Sequence, residues 1–521
     1  MSLPRPLAYT FAALLLLTLY APALNGAPIW DDNAFIFWRF GLNEKPDHMV
    51  YWRFHIWPLF DSLTALLYQW WGSKPLPWHL LNLTLHGINC AWCAHLVARW
   101  RPSWRWPLML ALIAHPMNVM AVAWIIQLKT VLTGTFILAA IHLALAWWGN
   151  GSRRHYAGAL ACYFLALATK SSALPFAFLP WLLLPWVAPR RRLMLATVPF
   201  ILLSLGSAWR IQRNQTVQAR TAVTEDRLAR LADEVQIPPA TVTTPVAPEP
   251  ATAVVVPNPA PVSASHPEAP PADVAAPLDP PATVAETPAP IPSTAPLPSR
   301  RKLILHNLGE YWSLPFTLDG TPSRGPHLGG WSASAVLGWL AASLLLAWLA
   351  IRREDRPRAR ALYGLLIAQA ALVVPFLGFV TAPYMLYTAV SEQHLYLTLP
   401  FAFASVGILY PMLAAKFKRP SAVHAPAVFT GWMVLVLGWQ TLNYTPAYVS
   451  EEAFFSHVLA VRPHDVYGRL GLVAHYQQEG RNREAAHVLR DSMKAAERNP
   501  RMKLEPYWPT LEAAYLRWGL E

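Results

Sequence analysis

Apolar residues gather along this chain in long blocks separated by short polar loops. The blocks lie near 8–24, 77–98, 105–122, 127–148, 155–169, 172–188, 192–209, 329–350, 360–380, 394–414 and 425–441. Each approaches the roughly 20 residues that a helix needs to cross hydrocarbon. The pattern therefore predicts an all-α polytopic membrane protein of about eleven helices. Two blocks are short, and at 155–169 a buried or re-entrant helix is the alternative. Ala21-Pro22-Ala23 resembles a signal-peptide cleavage site, but the many blocks that follow favour a retained first span.

Charge gives the blocks an orientation. With the N-terminus inside, the internal loops are Arg99 to Arg105, Arg153-Arg154, Arg190 to Arg192, Arg352-Arg353 through Arg360, and Lys416 to Arg419. All are basic, the positive-inside pattern. That accounts for the net charge of +13 without nucleic acid. Only 14% of residues are charged, against about 25% in an ordinary globular domain. Cys90, Cys93 and Cys162 all lie in apolar stretches, so no disulfide framework is expected.

Four regions follow. Residues 1–210 form an N-terminal bundle with a first outer loop at 25–76, and residues 211–328 form a large outer loop. Residues 329–441 return as C-terminal spans, and 442–521 form a helical tail. Within the outer loop, 238–298 holds 19 prolines and no glycine, aromatic, lysine or arginine. Such a segment cannot bury a core and reads as an extended spacer. In the tail, Leu472, Tyr476, Gly480, Ala485 and Leu489 have the spacing of a helix–turn–helix repeat of the tetratricopeptide type. A generic helical hairpin fits nearly as well.

The candidate chemistry sits at the outer ends of the blocks. Asp31 and Asp32 follow the first block, with Arg39 and Arg53 nearby and Trp30, Phe35, Phe37, Trp38, Tyr51, Trp52 and Trp57 around them. A carboxylate there can accept a proton or hold a divalent cation. The plainer alternative is a helix cap and a loop charge. His79, Asn82 and His86 share one face of the second block, which suits helix–helix hydrogen bonding better than metal binding. His115, Lys129 and Lys170 lie at outer turns, where the lysines can clamp a phosphate or simply snorkel. Glu392 and His394 form another outer turn, as a further acid and a phosphate contact, or as a helix cap. Any metal would use Asp31, Asp32 and Glu392, with Mg or Mn the expected divalent cation. No glycine-rich phosphate cradle is present.

Several runs carry a resemblance. They are Trp30-Asp31-Asp32-Asn33, Trp57-Pro58-Leu59, His79 to His86, Ala114-His115-Pro116-Met117-Asn118 through Trp124-Ile125, Lys170, Glu392 to Tyr396, and the terminal helices. Over roughly 8–210 and 330–500 the chain resembles bacterial relatives of the tetratricopeptide-containing O-mannosyltransferase-like (PMT-like) membrane proteins, in the GT-C superfamily. Gln127 and Lys129 stand where some relatives carry an Arg-x-Glu pair, and Gln393 where some carry Arg.

The resemblance implies a GT-C bundle in a bacterial inner membrane, with active site, Pro-rich insert and tail periplasmic. It implies an inverting glycosyltransferase that moves a sugar from a polyprenyl-phosphate donor to a protein or glycan hydroxyl, with Asp31 or Asp32 as base. A non-catalytic envelope scaffold acting through the tail, with possible protein partners there, and a lipid-linked substrate transporter are the competing expectations.

Overall fold

The computed structural model describes residues 5–41, 46–99, 102–186, 194–214, 304, 307, 311, 362, 365, 369, 372–377, 391–405, 425–504, 507–518 and 520. All belong to one compact unit formed by residues 1–216 and 293–521. Among the described residues every regular element is helical.

The N-terminal half runs through α1 (Arg5–Tyr20), α2 (His48–Phe54), α3 (Pro58–Trp71), α4 (Pro75–Ala98), α5 (Arg105–Ala114), α6 (Val119–Ala123), α7 (Leu128–Asn150) and α8 (Arg153–Thr169). A helix over 194–214 follows as α9. The C-terminal part holds α10 (Ala425–Tyr444), α11 (Glu451–Val461), α12 (Val466–Gln478), α13 (Asn482–Arg498) and α14 (Trp508–Arg517).

Local chemistry sets many of these boundaries. Proline opens α3 and α4, where its fixed φ and missing N–H cost nothing. The Asp47, Ser450 and Asp465 side chains cap α2, α11 and α12 by accepting from backbone N–H groups. Gly480, at φ +71°, closes α12 in a left-handed turn that a Cβ would strain.

Buried polar side chains on α4 brace the backbone of their neighbours. Where the chain turns between α6 and α7, the Trp124 and Ile125 carbonyls accept from the Gln127 and Leu128 N–H groups, and Asn82 adds a second donor to each, at 3.1 and 3.3 Å. Two turns further along α4, Asn89 donates to the Val131 carbonyl at 2.8 Å, which also accepts from Thr135 Oγ1 at 3.1 Å. His79 donates through Nε2 to the Gly26 carbonyl at 3.2 Å. Each bond gives a buried side-chain N–H the acceptor it needs away from water. Gly134 lets α7 approach closely: a Cβ there would sit 3.0 Å from Tyr396 and 3.1 Å from Asn89.

The eleven-span bundle is not what these residues build. Three described helices are long and apolar enough to cross a membrane: Pro6–Ala23, Ile125–Asn150 and Met194–Asn214. The pair Pro102–Ala114 and Pro116–Ala123 passes that test only jointly and is bent by 59°. The bend has a clear cause. Pro116 lacks an N–H, and the Asn118 side chain satisfies the freed Leu112 carbonyl at 2.7 Å.

The other blocks differ for stated reasons. The α4 block carries a buried polar stripe, α8 has 17 residues, and 171–186 winds as a 3-10 helix with prolines at 175, 180 and 185. The block at 329–350 lies outside the described residues, as does most of 360–380. Residues 394–405 begin in a 3-10 turn, and 425–441 lies in α10, which is not among the three. Some of the apolar side chains fill a shared interior, with Trp78, Tyr20, Tyr51, Phe60, Met117 and Tyr448 fully enclosed, while Phe11 and Leu14 of α1, Leu202 and Trp209 of α9, and Leu435 and Trp439 of α10 are exposed. The fold is all-α, but the polytopic GT-C architecture and the multi-pass inner-membrane placement, with its periplasmic face, are overturned by this count. The Pro-rich segment 238–298 also lies outside the described residues.

Candidate functional site

The Asp31–Asp32 turn is held from several sides, and the two acids differ. Asp32 is 1% exposed, and both of its oxygens are occupied. Oδ2 accepts from the Ile29 N–H at 3.0 Å and Oδ1 from the Ile126 N–H at 2.6 Å. It therefore ties its own turn to the break before α7. Burial raises its carboxyl to about 8, although the two backbone N–H groups pull the other way. Asp31 is half-buried, and its side chain makes no hydrogen bond to any described residue. Burial raises it too, while nearby Lys129 pulls it down.

Trp30 shapes this turn. Its φ is +44°, the only positive value at a non-glycine among the described residues. Left-handed backbone costs roughly 1–2 kcal/mol at such a residue. The Trp30 N–H donates to Glu451 Oε1 at 2.7 Å, and its ring stacks on Trp124 at 5.5 Å and 8°. A hydrogen bond to a charged acceptor contributes roughly 1.5–3 kcal/mol, enough to offset that strain.

Lys129 faces the turn from α7. Its Nζ lies 4.5 Å from the centre of the Trp57 ring, 5.8 Å from Phe60 and 6.0 Å from Phe35. The residue is 7% exposed, and its amine makes no hydrogen bond among the described residues. Asp31, Asp61 and Asp32 act on it electrostatically, Asp31 most strongly. Asp61 is engaged elsewhere: Arg39 donates to it at 3.4 Å, and His55 Nδ1 lies 2.9 Å from its other oxygen.

A second polar cluster adjoins the first. Lys170 donates to Thr130 Oγ1 at 2.6 Å and to Gln127 Oε1 at 3.2 Å. His394 is buried, stacks on Phe376 at 3.6 Å and pairs through Nδ1 with the Tyr311 hydroxyl at 2.9 Å. Burial first, then Lys170 and Lys129, hold it well below the usual imidazole range, so it is neutral.

The remaining sequence-predicted residues have other positions. His79 braces the Gly26 carbonyl. His86 Nδ1 pairs with the Tyr396 hydroxyl at 3.0 Å. His115 caps the turn after α5 by accepting from the Met117 N–H at 3.2 Å. Glu392 is fully buried and accepts from the Tyr444 hydroxyl at 3.1 Å. Arg53 is exposed and lies over Phe54. The fold thus gathers Asp31, Lys129, Lys170 and His394 into one charged neighbourhood and places the other residues around it.

Two contributors escape the sequence pattern. Glu451 reads as an ordinary acid in the first turn of a tail helix, and Asp61 as one in the first turn of α3. Pro58 at the helix start places Asp61 in the first turn of α3, and no local signal tells which side chains it meets.

A candidate cation site lies apart from this cluster. Glu452, His475 and Glu479 bring ligand atoms within 4.8 Å of one another and could hold a divalent cation. Arg481 bridges the same acids, at 2.8 Å from Glu452 and 3.2 Å from Glu479.

No protein-family model, curated protein or solved structure matches this chain. The GT-C resemblance is corrected accordingly, because the helix count above lacks the bundle on which it depended. With it go the glycosyltransferase activity, the polyprenyl-phosphate donor, the protein or glycan acceptor and the membrane-lipid partners. The lipid-linked transporter depends on the same spans and goes with them; the scaffold alternative rests on the linker and the repeat-like tail, and no match to a known protein supports it.

Proposed function

We propose that the chain binds a small ligand at Asp31 and Lys129, one that offers a hydroxyl or amine proton to Asp31 and an anionic oxygen to Lys129. What supports this is a largely buried lysine and a neighbouring half-buried carboxyl that attract one another, neither side chain hydrogen-bonded among the described residues and neither among the fully enclosed unpaired polar atoms. Burying an unpaired charge is expensive, and proteins keep such groups mainly where they are used. Trp57, Phe60 and Phe35 supply apolar faces beside the amine, as small-molecule sites usually do. Lys170, whose amine is held well below the usual lysine range by burial and by Lys129, gains its positive charge only when a doubly charged group stands beside it, and Asp32 fixes the turn instead of contacting the ligand.

Glycerol 3-phosphate carries both functional groups, whereas glycerol and inorganic phosphate carry one each. Calorimetric titration should show tighter binding of the combined probe than of either half. Asp31→Asn keeps the size but loses the charged acceptor, and should weaken the combined probe about tenfold, or roughly 1.4 kcal/mol. Binding that ignores the Asp31 substitution would remove this assignment.

A second reading concerns the cation. We propose that Glu452, His475 and Glu479 bind Mn in preference to Mg, since an imidazole suits the softer ion. Arg481 competes for the same oxygens, so Arg481→Gln should tighten Mn binding, followed by loss of the free-ion paramagnetic resonance signal. His475→Ala should abolish it. No uptake by either wild type or Arg481→Gln would exclude the site.

A further inference from the structure

We infer that the C-terminal helices control the Asp31–Lys129 site through Glu451, which acts as a positioning residue for the turn that carries Asp31. This rests on the binding proposal above for its functional meaning, but its structural content stands separately.

Glu451 is the first residue of α11 and lies 421 positions from Trp30 in the chain. Its Oε1 accepts the Trp30 N–H at the one non-glycine position with left-handed backbone. Phe454 of α11 and Tyr467 of α12 pack against the same Trp30 ring, at 6.3 and 5.6 Å. Ala27 donates to the Val449 carbonyl at 2.8 Å, immediately before α11. The turn is therefore held by the C-terminal helices at its backbone and at its ring.

The strain gives the turn an alternative. Without the Glu451 acceptor, Trp30 has reason to return to ordinary extended or helical backbone. The two residues after it carry the site, so a change at Trp30 re-aims both. Asp32 would lose its grip on Ile126, and Asp31 would leave Lys129. That is the bistable element through which a distant helix can bias a site.

Glu451 has a second suitor: His475 Nδ1 lies 3.5 Å from its Oε2. His475 also belongs to the candidate cation triad. A partner or ion that draws on the α12 end therefore pulls on the residue that holds the turn.

The test compares Glu451→Ala, Glu451→Gln and Glu512→Gln in the full chain. Glutamine keeps a neutral acceptor. Glu512 is an exposed acid on α14, outside the cation triad and the turn, so its substitution is the control. The decisive readout is hydrogen exchange at the Ile126 amide, whose N–H is held by Asp32. Glu451→Ala should speed that exchange about tenfold or more, Glu451→Gln less, and Glu512→Gln not at all. Glycerol 3-phosphate affinity should fall in the same order.

Unchanged Ile126 protection in both Glu451 variants would overturn the inference. So would faster exchange with unaltered affinity. If wild type binds no probe, the binding proposal fails by itself, and the exchange result still decides whether Glu451 holds the turn. Should Glu451→Ala not fold, Glu451→Gln carries the comparison alone.

Discussion

Lys129→Met should raise the stability of the fold while it removes ligand binding. The residue is 7% exposed, and its amine has no hydrogen-bond partner among the described residues. Its surroundings are the Trp57, Phe60 and Phe35 rings. Cation–π attraction returns roughly 0.5–2 kcal/mol of the desolvation cost and the Asp31, Asp61 and Asp32 charges return more, but burial remains the largest influence on the amine. Methionine has a similar unbranched shape, and its thioether packs well against aromatic rings. Replacing buried ionic groups with apolar ones of like volume is often worth about 1–4 kcal/mol.

Asp31 does not cancel this gain. It is half-buried and its carboxyl is already raised by burial, so it takes a proton when its cation disappears. The denaturation midpoint should therefore rise. Glycerol 3-phosphate binding should fall on the order of a hundredfold, the loss of one hydrogen bond to a charged group. Paired thermal melts and calorimetric titrations check both signs. A variant that is destabilised and still binds would contradict the assignment twice.

Asp32 makes the stability of the protein fall as pH rises. Its folded carboxyl lies at about 8 and its ordinary value is 3.8, so the native state holds the proton more tightly than the unfolded chain. The resulting contribution is fully present below 3.8 and is lost as pH climbs through about 8. Asp31 is raised as well and adds in the same direction. The total is several kcal/mol at most, and it is spread across that window.

Asp32→Asn should flatten the dependence. It should also destabilise the protein at pH 5 by about 1–3 kcal/mol, because one amide oxygen cannot serve both the Ile29 and Ile126 N–H groups. Urea unfolding at a series of pH values measures both effects. An unaltered pH slope in the variant would show that another group carries the linkage.

Individual helix boundaries were well written in the sequence. Pro58 and Pro75 open helices, Ser450 and Asp465 cap them, and Gly480 closes one. These are local effects between residues a few positions apart, so the local sequence carries them. The fate of the apolar blocks was not legible in the same way. A hydropathy block states that its residues avoid water, and an enclosed protein interior satisfies that demand as well as hydrocarbon does. Position 116 shows the difference: an apolar run continues through it, but proline and the Asn118 side chain turn the backbone by 59°.

The candidate site divides along the same line. Chemistry-bearing residue types are visible in the sequence at 31, 32, 129, 170 and 394. Their division of labour is not. Asp31 and Asp32 are identical side chains on adjacent residues. Which of them is locked depends on an N–H at Ile126, 94 positions away in the chain. Glu451 is more remote still from the turn it holds.

The sequence by itself determined that the chain is helical, where many helices begin and end, and which side chains could do chemistry. Tertiary structure decided which apolar faces meet one another, which acid is tied down, and which amine has no hydrogen-bond partner among the described residues. The physical reason is range. Propensity and capping act within a few residues, whereas burial, desolvation and hydrogen-bond supply are set by whatever the fold brings alongside.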